Sequence, residues 1–157
     1  MTYTAFDPRD DIIQAMGEID YDYNGNSYYY IPATNDIGET VKVKIYNGDE
    51  WDLPPLPCIK VDLASSSKVI HNINGDRIYH TATIHFHVFV TTGANITPKD
   101  FIANVCNEIV DRVMENRNSI SNTLFVYPVG LVDRPEEREK NRIILHRIVQ
   151  VEAEQYE

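Results

Sequence analysis

Basic residues are scarce in this chain. Its 157 residues carry 14 Lys and Arg against 24 Asp and Glu, a formal net charge of -10. Binding nucleic acid by phosphate neutralisation needs clustered cations, so that class is disfavoured. An acidic surface that phosphates merely pass is not, because it repels them. Cysteine is nearly absent as well. Cys58 and Cys106 have no pair spacing. Cys58 opens a strand and Cys106 falls in a helical apolar stripe, so two buried free thiols in a reducing compartment are expected. No apolar run approaches the ~20 residues of a membrane span. The opening MTYTAFDPRDD has neither a basic start nor an apolar core, so no signal peptide is expected. There is no glycine-rich phosphate loop, no nucleophile elbow and no two-cysteine metal motif. The acidic pairs Asp10-Asp11 and Glu136-Glu137 fall at a helix start and in a loop. No enzyme and no cofactor is expected from this inventory.

What is present is strong periodicity. Hydrophobic residues make up 43% and charged residues 24%, as in ordinary globular chains. The stretch Arg77–Thr92, RIYHTATIHFHVFVTT, alternates Ile78, His80, Ala82, Ile84, Phe86, Val88 and Val90 with Tyr79, Thr81, Thr83, His85, His87, Phe89 and Thr91. That is the two-residue period of a half-buried strand. Its length predicts a hairpin projecting beyond the core. Asn72, Asn74, Gly75 and Asp76 mark the turn, and Lys60–Ile73 is expected to pair antiparallel with it.

Asp7-Pro8 predicts a helix start, with Asp7 accepting orphan N–H groups and Pro8 at the first position. Ile12, Ile13, Met16 and Ile19 suggest a docking helix of about three turns, weakened at Gly17. Residues 20–56 form a tyrosine-rich arm with Tyr21, Tyr23, Tyr28, Tyr29, Tyr30 and Tyr46, the lone Trp51 and two Asn-Gly pairs. One or two hairpins are expected there, within a single 1–157 domain. Pro54, Pro55 and Pro57 give a stiff entry into the strand PCIKVDLA, and Ser65-Ser66-Ser67 reads as turn chemistry. Thr97-Pro98-Lys99-Asp100 starts the strongest helix, with Thr97 as cap and an apolar face from Phe101 to Met114. TLFVYPVGLV at 123–132, broken by Pro128 and Gly130, reads as an edge or bulged strand. A charged turn, Asp133–Lys140, leads to a last strand at 141–154. The expected class is α+β: an antiparallel sheet with a long projecting hairpin and two main helices packed on one face.

His85 and His87 share one strand face, about 7 Å apart by strand rise. They are the basis of an alternative reading, a small ligand- or metal-binding domain, with His146 as a further ligand. His80 points to the opposite face.

From Pro57 onward the order is a proline-led strand (PCIKVDL), a hairpin, RIYHTATIHFHVFV, the helix DFIANVCNEIVDRV, and two closing strands ending in RIILHRIVQVEAE. The helix DPRDDIIQAM precedes them. This resembles the tail terminator, or tail-completion, proteins of long-tailed bacteriophages, which join tail to head. The resemblance implies a virion protein assembled in the host cytoplasm as a homo-oligomeric, hexameric ring. Such a ring caps the tail-tube protein, stops tail growth and meets the head-connector or neck protein. DNA passes its channel without specific binding, no membrane is involved and no residue catalyses. A head-closure or other neck-ring subunit is the nearer alternative. Interface candidates are His71, Asn72, Asn74, Gly75, Asp76 and Arg77 at the hairpin tip. Tyr28, Tyr29, Tyr30 and Trp51 are candidates in the arm, and Arg134, Glu136, Glu137 and Arg138 in the charged turn.

Overall fold

In the computed structural model, which describes residues 6–48, 53–70, 78–117, 124–139 and 142–156, the chain runs α1 (Arg9–Met16), β1 (Glu18–Tyr21), β2 (Ser27–Thr34), β3 (Thr40–Asn47), β4 (Cys58–Ile70), β5 (Ile78–Thr91), α2 (Pro98–Asn116), β6 (Leu124–Asp133), β7 (Glu137–Glu139) and β8 (Arg142–Tyr156). The class is α+β, as expected. The eight strands form a single, mostly antiparallel sheet in the order β1-β2-β3-β4-β5-β8-β6, with β7 also on β8.

The long alternating stretch is β5, and it lies inside the sheet. Its register with β4 runs from Cys58↔Phe89 to Ile70↔Ile78, with a shift between Leu63 and Ser65. Its register with β8 runs from Tyr79↔Tyr156 to Thr91↔Ile144. Flanked on both sides, it satisfies its backbone polar groups within the sheet. The even positions Ala82, Ile84, Phe86, Val88 and Val90 are buried, and the odd positions face outward at intermediate exposure. The expected projecting tip, 71–77, lies outside the described residues.

One pairing departs from the antiparallel expectation. β3 and β4 are parallel, from Lys44↔Cys58 to Asn47↔Val61. A tight hairpin would have made them antiparallel. Instead the connection carries Pro54, Pro55 and Pro57, which lack the backbone N–H that a hairpin ladder needs. The tyrosine-rich region forms two hairpins, β1–β2 and β2–β3, that continue this sheet. The first turns at Gly25, whose φ of +83° only glycine adopts freely.

Other local expectations are corrected. Ser65-Ser66-Ser67 is not a turn but the middle of β4. The Ser66 hydroxyl donates to the Phe6 carbonyl at 2.7 Å and the Ser67 hydroxyl lies 2.5 Å from that of Thr81, so ladder and side-chain bonds together hold these serines in a strand. The charged 133–140 segment is not all turn either, since Glu137–Glu139 pairs with β8. Helix α1 has 8 residues, not three turns. It stops at Gly17, where a Cβ would sit 2.9 Å from the Ile13 carbonyl oxygen and 3.3 Å from Tyr29. Pro8 is its N-cap, while Asp7 accepts the Arg9 N–H at 3.2 Å.

Both helices feed one apolar core. Ile12, Ile13 and Met16 of α1 and Phe101, Ile102, Val105, Cys106, Ile109 and Val113 of α2 cluster with Ile31, Val43, Ile59, Phe86 and Val149 of the sheet. Met114, expected on the apolar face of α2, is 43% exposed. Thr97 does not cap α2 with its side chain, because its hydroxyl donates to Asp36 at 2.8 Å and ties the helix start to the β2–β3 turn. Arg112 ties the other end, reaching the Met16 carbonyl at 3.0 Å, Glu18 at 3.0 Å and Glu108 at 2.8 Å.

Two outcomes follow. Phe86→Ala removes the largest fully buried side chain at the sheet centre and is expected to cost about 3–5 kcal/mol in urea unfolding. A loss below about 1 kcal/mol would contradict this core. Cys58 and Cys106 are free and buried, and burial pushes their thiols up to about 12 and about 11. A thiol reagent at neutral pH should therefore label both only on unfolding, and prompt labelling of the native protein would refute it.

Candidate functional site

The outward face of the sheet carries most of the polar chemistry. At its centre three strands bring Asp62, His87 and His146 together. Asp62 of β4 lies across from His85, and His146 of β8 lies across from Phe89, one place along the strand face from His87. His87 Nε2 is 2.9 Å from Asp62 Oδ2, and His87 Nδ1 is 2.9 Å from His146 Nε2. With both rings neutral, the directions follow. His87 Nε2–H donates to the carboxylate, and His87 Nδ1 accepts from His146 Nε2–H. Phe89 stacks on His146 with ring centroids 4.1 Å apart, and His85 meets His87 edge-on at 5.8 Å.

Burial lowers the pKa of His87, opposed by the Asp62 charge and helped by His85, Lys60 and Arg134. Burial also lowers His146, to about 4, with His87 and Arg134 adding to it. The pair is therefore held neutral at pH 7. The shared face expected for His85 and His87 is present, and the neighbourhood of His146 is now defined. His87, however, has both ring nitrogens engaged and could bind a metal only by giving up one partner. Among the described residues no group of three or more His, Cys, Asp or Glu is placed to hold a metal ion.

The other expected positions are spread along the sheet. Tyr28 and Tyr30 share a face of β2 with rings 6.2 Å apart, under Lys44 and Lys42 at 5.0 and 5.2 Å. Lys42 also pairs with Asp20 on β1. Tyr29, between them, packs against the core. Arg134 and Glu136 line a cavity of about 230 Å³ beside the start of α2, together with Lys99, Asp133, His146 and Arg147. Arg147 is already paired with Asp133 at 2.6 Å. Glu137 and Arg138 are exposed on β7. Trp51 and the tip residues His71, Asn72, Asn74, Gly75, Asp76 and Arg77 lie outside the described residues. The structure thus brings Arg134 and Glu136 together and leaves the tyrosines several strands away.

Sequence reasoning missed an exposed apolar surface along one edge of the sheet. Along β6, Phe125, Tyr127, Val129, Leu131 and Val132 are 44%, 37%, 48%, 49% and 37% exposed. Tyr156 joins them, packed edge-on to Phe125 at 5.7 Å and stacked on Tyr79 at 5.3 Å. The cause is the register shift between Pro128 and Gly130. Before it, Phe125 lies across from Glu154 on the outward face. After it, Leu131 lies across from the buried Val149, so the apolar side chains flank the edge on both faces. Pro128 and Gly130 signalled an edge, but alternation alone would have sent half of these residues into the core.

The histidine chain makes a pH prediction. The unfolded chain takes up a proton on His146 near pH 6.5, and the folded chain only near 4. The unfolded state therefore binds more protons between those values. Stability is full above the unfolded pKa and falls as pH drops through the window toward 4. His146→Phe, which keeps a ring against Phe89, should shrink the loss of urea midpoint between pH 7 and pH 5. An unchanged pH dependence would refute this account. No family model matches the chain, and comparison with curated proteins finds no match.

Proposed function

We propose that this chain is a structural subunit of a phage tail terminator ring, capping the tail tube and meeting the head connector. The observation that carries this reading is the set of exposed apolar side chains that flank the edge strand β6 on both faces, Phe125, Tyr127, Val129 and Leu131. Contiguous exposed apolar side chains rimmed by polar ones mark protein–protein contact. A subunit whose work is shape-matched association needs such surfaces. The element order agrees with the family resemblance: a short helix, hairpins, two long strands, a second helix and closing strands.

In this reading both helices cover one face of the sheet and leave the other free for neighbours. The turn residues 71–77 between β4 and β5 are the proposed contact to the next ring. Tyr28, Tyr30 and the charged residues Arg134, Glu136, Glu137 and Arg138 are secondary contacts at the polar rim. The net charge of -10 suits a channel that DNA passes without adhering. A neck-ring or head-closure subunit would use the same surfaces, and the identity of the bound partner separates the two stations.

Purified protein mixed with tail tubes should decorate tube ends in electron micrographs. Replacing residues 71–77 by a two-residue Asn-Gly turn should abolish decoration and leave the thermal transition in place. Binding to a portal-side connector and never to tubes would move the protein to the neck. Binding to neither would remove the virion reading.

A further inference from the structure

Among the described residues, the exposed large hydrophobic side chains are not scattered. Ile19 and Tyr21 sit on β1, Tyr23 in the β1–β2 turn and Ile37 in the β2–β3 turn. Phe125, Tyr127, Val129, Leu131 and Val132 sit on β6, with Ile143 and Tyr156 on its neighbour β8. Only Met114, on α2, falls outside these two groups. Apart from Ile37, in a turn beside the start of α2, and Ile143, opposite β7, the groups lie at the two ends of the strand order, since β1 is one edge of the sheet and β6 the other. The described outward positions of β3, β4 and β5 add none.

We propose that copies of this chain associate head to tail, the β6 edge of one against the β1 edge of the next. The proposal rests on the reading of the protein as an assembly subunit and adds the seam. Its partner is a second copy because the two patches lie on opposite edges of one sheet. A two-fold dimer through either edge would cover that patch twice and leave the other exposed. A head-to-tail contact covers both with a single kind of interface, and it closes into a ring or grows as a chain according to its rotation.

The local charges permit the contact. Glu18 on β1 is held by Arg112 at 3.0 Å and Asp20 by Lys42, so both carboxylates of that edge are paired within the subunit. On the other edge Glu154 accepts from Tyr127 at 3.0 Å and from Tyr156 at 3.3 Å. What remains is the long-range repulsion between subunits of net charge -10. Salt screens it, so association should strengthen as ionic strength rises. The seam is made by side chains, because Pro128 and the bulge interrupt any continuous backbone ladder along β6.

The test is complementation between two variants. Val129→Asp/Leu131→Asp spoils the β6 edge, and Ile19→Asp/Tyr21→Asp spoils the β1 edge. All four side chains are exposed, so each variant should keep its thermal transition. Should an Asp variant lose it, the corresponding Ser pair carries the same test. Sedimentation of the wild type should show mass rising with concentration and with salt. Each variant alone should associate about tenfold more weakly or not at all. Mixed, the two retain one intact edge each and should form a complex of two subunits that grows no further. A wild type that stays monomeric to about 1 mM overturns the proposal. So does a variant that still dimerises like the wild type, or a mixture that forms no heterodimer. Binding to tail tubes is read separately. Tube binding without self-association would overturn the seam and keep the proposed function, and self-association without tube binding would do the reverse.

Discussion

The constraint on which the structure depends is the two-sided pairing of β5. A strand of 14 residues, Ile78–Thr91, exposes a long row of backbone donors and acceptors that must be satisfied wherever they are buried. β4 takes one side and β8 the other over almost the whole length. With both ladders in place, the two-residue period sends Ile84, Phe86, Val88 and Val90 into the core beneath α2. The same period sends Thr83, His85, His87 and Phe89 outward. A slip of one residue in either ladder would reverse the faces and bury two histidines. The apolar core and the histidine chain are therefore consequences of a single register.

From β5 the sheet extends in two different ways. Toward β1 it grows through the parallel β3–β4 pair and two hairpins, stiffened by prolines and by lysines lying over tyrosine rings. Toward β6 it grows through β8 and ends at a bulge with a proline, a combination that discourages uncontrolled strand addition. Both ends nevertheless leave apolar side chains exposed. Arg112 and Thr97 hold α2 at its two ends, so the helix braces the β1 and β2–β3 end of the sheet against the core.

The Asp62–His87–His146 chain shows how such a sheet tolerates half-buried titratable groups. Each ring nitrogen of His87 meets a partner, so the cost of burial falls on the charged form and the neutral form persists. The arrangement crosses three strands and fixes tautomers as well as register.

Much of the fold was legible before any coordinates. Local period alone identified β5, β8 and α2, because the side chain at each position answers to its own burial and the spacing of buried positions is a property of the element. Asp7-Pro8, Thr97-Pro98 and the Asn-Gly pair at Gly25 marked starts and turns through backbone preferences that act within a few residues. What only the tertiary structure decided is non-local. Whether β3 meets β4 parallel or antiparallel, and whether Ser65–Ser67 turns or continues, depend on which distant segment offers the matching hydrogen bonds. That His146 lies 2.9 Å from His87 depends on a pairing between residues 59 positions apart in the chain. The exposed edges follow the same rule. Phe125 and Leu131 look like core residues by composition, and Ile19 continues the stripe of α1. They are exposed because, among the described residues, no strand lies beyond β1 or β6, a fact of sheet order that no local pattern contains.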